Sequence, residues 1–129
     1  MPDILTFETL EKITGPIAPG SNQARNAQSF LLALNRYGYD LDLNRPHRLG
    51  YLLGQVLLEN GAFRYDREIW GPTPAQARYD TRVDLGNTPE RDGDGYRYRG
   101  RTGMQITGRA NYRAFTAWER RLDPTAPDF

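Results

Sequence analysis

Residues 49–70 read LGYLLGQVLLENGAFRYDREIW. Leu49, Leu52, Leu53, Val56 and Leu57 recur at the spacing of one helix face, and Tyr51 and Leu58 put apolar groups on the opposite one. A helix apolar on all sides is expected to be buried. Residues 46–60, with Pro46 suited to a first turn, are therefore expected to form the axis of the fold. At about 100° per residue Glu59 lies about 20° from Leu52, at the edge of the apolar stripe. A carboxylate among leucines is costly to ionise, so it holds a proton near neutral pH and can donate it, which is the requirement of a general acid. The plainer reading is a glutamate that reaches solvent at a helix end or pairs with Arg64 or Arg67. Glu68 follows nine residues later. One continuous helix would put it about 13.5 Å along the axis and half a turn around. Gly61 and the AFRY that follows it offer a helix stop, after which the chain can fold back and bring Glu68 across a cleft from Glu59. Glycosidic hydrolysis uses two such acids, one protonating the leaving oxygen and one staying ionised to activate water or stabilise the cation.

Around this centre the pattern predicts further helices. Residues 3–13 read as a short helix with Asp3 as the cap and a stop at Gly15-Pro16. Residues 22–37 read as a stronger one, with Ala24, Ala27, Phe30, Leu31 and Leu34 on one face and Gly38 as its C′ residue. Residues 107–121 return to helix, with Thr107 placed to cap it and Asn111, Ala114, Phe115 and Trp118 on one face. Between them, residues 61–100 are crowded with Gly-Pro, Thr-Pro, Gly-Asn and RDGDG turn signals. Loops are expected there, with at most a small hairpin and a short strand in YRYRGR (96–101), and a stretch of that length suggests a functional face. The tail LDPTAPDF reads as a Pro-rich linker. The expected fold class is thus mainly α, one domain over residues 1–129, with a loop-rich face.

Composition narrows the chemistry. With 129 residues the chain suits one domain with a modest core. It has no Cys and one His, His47, which excludes a disulfide framework, a thiolate metal site and a zinc site built on histidines. No metal or other cofactor is expected. No run approaches a membrane span, and the N-terminus lacks a basic-then-apolar leader. Synthesis in the cytoplasm without a signal peptide is expected, with any action outside depending on release by another agent. Sixteen of the seventeen basic residues are Arg, and Arg forks hold carboxylates, phosphates and sugar hydroxyls in fixed geometry. High-GC codon usage accounts for the same bias equally well.

The stretch ENGAFRYDREIWGPTPAQARYDTRVDLGNT, followed by DGDGYRYRGRTGMQITGRANY, resembles the family 19 glycoside hydrolases, the chitinase-like group that includes many phage endolysins. The resemblance runs from about Pro46 to Tyr112. It implies a mostly helical, lysozyme-like fold and cleavage of β-1,4 links between N-acetylated amino sugars, with inversion and without a metal. Carried over by motif, Glu59 matches the general acid and Glu68 the second acid of the endolysin branch. Asp80, in RYDTR, is the nearest match to the base of the chitinase branch, where many relatives carry Glu. Thr107 matches the residue that helps position the water, and Gln105 and Asn111 match sugar-binding positions. Arg99, Arg101 and Tyr98 would line the cleft and hold sugar hydroxyls or cell-wall peptide carboxylates. The resemblance also implies action at the cell wall, as a monomer on peptidoglycan or chitin, with no nucleic-acid or membrane partner. Three departures stand out. Leu58 replaces the usual His before the acid, Tyr51 replaces another, and the chain is short, which makes it either a minimal or a C-terminally truncated version.

Several of these residues also have plainer roles open to them. Thr107 can serve as a cap only and Asn111 can bond backbone. Asp80 can pair with Arg78 or Arg82, and Arg99 and Arg101 can pair with Asp92 and Asp94 at a solvated edge. Two other functions compete with hydrolysis: a weak homologue that binds the polymer without cutting it, and a nucleic-acid binder using Arg97, Arg99, Arg101, Arg109 and Arg113. A net charge of only +1 and the scarcity of Lys argue against the last.

Overall fold

The structure, a computed structural model, describes residues 1–68, 71–102, 104 and 106–129. The chain forms two compact units, Met1–Asp66 and Arg67–Phe129. As expected, it is mainly helical, and among the described residues pairing of extended backbone is limited to isolated bridges. Among them, too, no helix is long and apolar enough to cross a membrane.

The first unit holds α1 (Phe7–Thr14), α2 (Asn22–Tyr37) and α3 (Pro46–Glu59). The first helix begins later than its sequence suggests. Thr6, not Asp3, is the N-cap, its hydroxyl accepting from Thr9 N. Residues before it are irregular and pinned to α2 by Asn35, whose Oδ1 accepts from Ile4 N and Leu5 N while its Nδ2 donates to Leu5 O. Ser21 caps α2 in the same manner. Gly38 ends that helix, but with φ −66 it is not the left-handed C′ residue its type suggests. A Cβ there would lie 2.4 Å from Leu34 O and 2.5 Å from Ile4 Cδ1, so close approach of the N-terminal segment is what requires glycine. The core joins Leu5, Leu10, Ile17, Ala24, Ala27, Leu31 and Leu34 to Leu53, Val56 and Phe63. Each large side chain buried there contributes about 1.5–3 kcal/mol.

The third helix corrects the expectation of a buried axis. Leu53 and Val56 are buried and Leu49, Leu52 and Leu57 partly so, but Tyr51 is 75% and Leu58 77% exposed. One stripe faces the core and the opposite side meets solvent, so α3 is an ordinary one-faced helix despite its apolar outer residues.

The second unit holds α4 (Pro74–Tyr79), a 3₁₀ turn at Val83–Leu85, α5 (Asp94–Arg97) and α6 (Arg109–Leu122). The expected strand at 96–101 is instead the end of α5 and an irregular segment. Among the described residues, Arg101 alone of this segment pairs, with Arg67 on one side and Ile106 on the other. Gly108, not Thr107, is the N-cap of α6, and the face it buries carries Tyr112 and Thr116, with Asn111 and Ala114 exposed. The C-terminal tail is not a free linker. Phe129 packs on Phe115 and Tyr112 at centroid distances of 4.5 and 4.8 Å, and its N–H donates to Thr116 Oγ1.

Candidate active site

Glu59 ends α3, and the chain then turns sharply. Gly61, Ala62 and Phe63 all have positive φ, at 59°, 57° and 67°. Two of these are not glycine, and each such residue costs on the order of 1 kcal/mol of backbone strain. The surroundings hold the turn. Asn60, 2% exposed, accepts from Phe63 N at 2.8 Å, while Gln23 and Asn26 of α2 donate to the carbonyls of Ala62 and Phe63. Phe63 is driven into the core against Phe30, with ring centroids 5.2 Å apart. This strained turn fixes the end of α3 beside Glu59. The carboxyl itself is exposed, not set among Leu52, Val56 and Leu58 as the helical spacing suggests. Nor does it pair with Arg64, whose guanidinium reaches Gly61 O.

Glu68 is held at several points in the second unit. Its N–H donates to Gly100 O, and its carbonyl accepts from Arg99 Nε. Its Oε2 accepts from Gln76 Nε2 at 3.0 Å. Gln76 is 4% exposed and is itself fixed, because its Oε1 accepts from Thr73 N in the capping box that opens α4. The locked amide gives this exposed carboxylate one preferred orientation before any ligand arrives. Glu68 lines a cavity of about 300 Å³ together with Thr107, Tyr79, Arg82, Leu85, Gly95 and Gly100. The Thr107 hydroxyl donates to Tyr98 O at 3.1 Å, which leaves its lone pairs as acceptors.

The remaining candidates separate from this cavity. Asp80 is 7% exposed, and its two oxygens accept from Gly95 N at 2.6 Å and Gly93 N at 3.1 Å. It therefore holds the start of α5 rather than pairing with Arg78 or Arg82; Arg82 pairs with Asp84. The packing there is so close that a Cβ at Gly95 would come 1.9 Å from Gln76 O. Asn111 Nδ2 donates to Thr107 O, the backbone role. Gln105 lies outside the described residues.

Arg99, Arg101 and Tyr98 line a different pocket, of about 790 Å³. Glu68 and Gly100 line the smaller cavity, while Arg67, Arg99 and Arg101 line the larger. The plainer alternative, pairing of Arg99 and Arg101 with Asp92 and Asp94, is replaced by other contacts. Arg99 donates to Glu68 O and Tyr96 O, and Arg101 lies 4.1 Å over the Phe129 ring. Asp92 instead accepts from Thr88, and the cation nearest Asp94 is Arg109, at 3.9 Å. Tyr112, at the base of this pocket, donates to Arg99 O at 2.5 Å. Burial raises its phenol above the ordinary value, with Arg101 and Arg99 acting in the opposite direction.

Sequence reading missed Gln76, although Thr73-Pro-Ala-Gln76 carries the spacing of a capping box. It also missed Asn87, 3% exposed, which donates to Tyr79 O and accepts from Arg109 N, joining α4 to α6. Among the described residues no group of three or more His, Asp or Glu is placed to hold a metal ion.

Comparison with known proteins gives a short partial match. A stretch of 34 residues, 26% of this chain, is 59% identical to a Haemophilus influenzae protein described as a glycosyl hydrolase family 19 domain-containing protein. The match covers 17% of that protein's length. No family model and no solved structure matches the chain.

Proposed function

We propose that this protein is a glycoside hydrolase of the family 19 kind, cleaving β-1,4 links between N-acetylated amino sugars, with peptidoglycan as the substrate and an endolysin-like role at the cell wall. The observation that carries the reading is Glu68, oriented by a buried Gln76 and sharing a cavity with Thr107. In this account Glu68 is the base and Thr107 helps hold the attacking water. Asp80 is the weaker candidate, since both its oxygens are bonded to backbone amides. Glu59 is the acid, carried by its place in the ENGAF motif. Its exposure means that bound polymer, rather than α3, would have to supply the desolvation that favours the protonated form.

Release of reducing ends from purified peptidoglycan tests the reading. Wild type should release them, and Glu59→Gln and Glu68→Gln should each lose at least about 100-fold. A substrate with a good leaving group should rescue Glu59→Gln more than Glu68→Gln, because only the former fails at leaving-group protonation. Exposure of Glu59 favours a second reading, a protein that binds the polymer without cutting it. Retained peptidoglycan binding with no reducing ends from wild type would decide for that one.

A further inference from the structure

Five arginines of one stretch, Arg97, Arg99, Arg101, Arg109 and Arg113, line the 790 Å³ pocket, joined by Arg67 and Arg120. The second unit has eleven arginines and nine acidic side chains in all, yet among the described residues the only acidic side chain lining this pocket is that of Asp128, 2.9 Å from Arg120. Gathering cations on one side in this way costs self-repulsion, which an anionic ligand relieves. The guanidiniums are also preorganised. Arg99 is tied to two carbonyls, Arg101 lies over Phe129, and Arg97 lies 5.5 Å over Tyr98. Arg109 Nε is buried and has no hydrogen-bond partner among the described residues, a donor set in the pocket wall without an acceptor.

We infer that this pocket binds carboxylates of the substrate, so that the protein takes an amino-sugar polymer carrying acidic peptides in preference to a neutral one. The inference rests on the hydrolase reading above and sharpens its substrate. Arginine forks suit planar carboxylates, each charge-assisted bond being stronger than a neutral one. Single-stranded nucleic acid fits less well, because it needs open aromatic faces for base stacking. Here Tyr98, Tyr112 and Phe129 pack edge-on against one another and have guanidiniums over their rings.

The test is calorimetric titration of the whole chain with three probes. They are a peptidoglycan fragment bearing free peptide carboxylates, the same fragment with those carboxylates amidated, and a neutral N-acetylglucosamine oligomer of equal sugar length. The acidic fragment should bind at least about tenfold more tightly than the amidated one, and the gap should shrink with added salt. The double variant R97Q/R113Q, both exposed positions, should bring that ratio close to one. Equal affinity of wild type for the acidic and amidated fragments would overturn the inference without needing any variant to fold. A single-stranded oligonucleotide serves as a fourth probe, and its binding more tightly than the acidic fragment would overturn the inference too. A tenfold acid preference in a protein that hydrolyses no glycan would support the pocket and remove the hydrolase reading, so the two failures are distinct.

Discussion

At the scale of the residue, the two candidate bases are separated by what their oxygens already do. Glu68 receives one side-chain amide, whereas Asp80 receives two backbone N–H groups in a buried setting. Asp80→Ala should cost about 1–3 kcal/mol of stability through the orphaned amides, measured by urea melting, with the activity of the folded fraction largely kept. A variant that melts like wild type but is inactive would return Asp80 to the reaction. Gln76→Leu should remove the bond to Glu68 and half of a capping box. It should lower kcat by about tenfold and cost on the order of 1 kcal/mol, with unchanged kcat counting against a positioning role. Tyr112 gives a pH signature. Its folded phenol titrates above the ordinary value of 10.0 because it is buried, so the unfolded chain releases that proton first and stability falls as pH rises past about 10. Phenolate absorbance should show a phase above the ordinary tyrosine range, and Tyr112→Phe should remove it.

At the scale of the element, the turn that follows α3 decides where Glu59 stands. Phe63→Ala should cost about 3–5 kcal/mol, because it empties a core position and frees a backbone held at positive φ. A loss below 1 kcal/mol in a thermal melt would mean that the turn is not anchored as described. The helices were legible from their apolar spacing, and the span of α2 was read to the residue. What periodicity did not reveal was how far each face is covered. Tyr51 and Leu58 are apolar in type yet exposed, since hydropathy records what a side chain prefers and not what packs on it. Caps were misplaced at both ends of the chain, with Gly108 serving in place of Thr107 at α6 and Thr6 in place of Asp3 at α1. YRYRGR alternates like a strand, but Asp80 draws the preceding glycines into a helical turn, a long-range contact that no local window contains. Of the candidate residues, Glu68 and Thr107, named through the family resemblance, line one cavity, whereas Arg99 and Arg101, named with them, line the other pocket.

At the scale of the whole molecule, Glu59 belongs to the first unit, while Glu68 with its cavity and the separate arginine-lined pocket belong to the second. An inverting hydrolase should release the anomer opposite to the bond it cuts, which proton NMR of the first product reads directly. Retention would remove Glu68 from the role of base. The most direct measurement remains the rate at which reducing ends appear when wild type and Glu68→Gln meet purified peptidoglycan, with the melting temperature of each recorded beside it. The account predicts steady release by wild type and a fall of at least about 100-fold in a variant that stays folded. Wild-type release matched by Glu68→Gln, or no release by wild type, would contradict it.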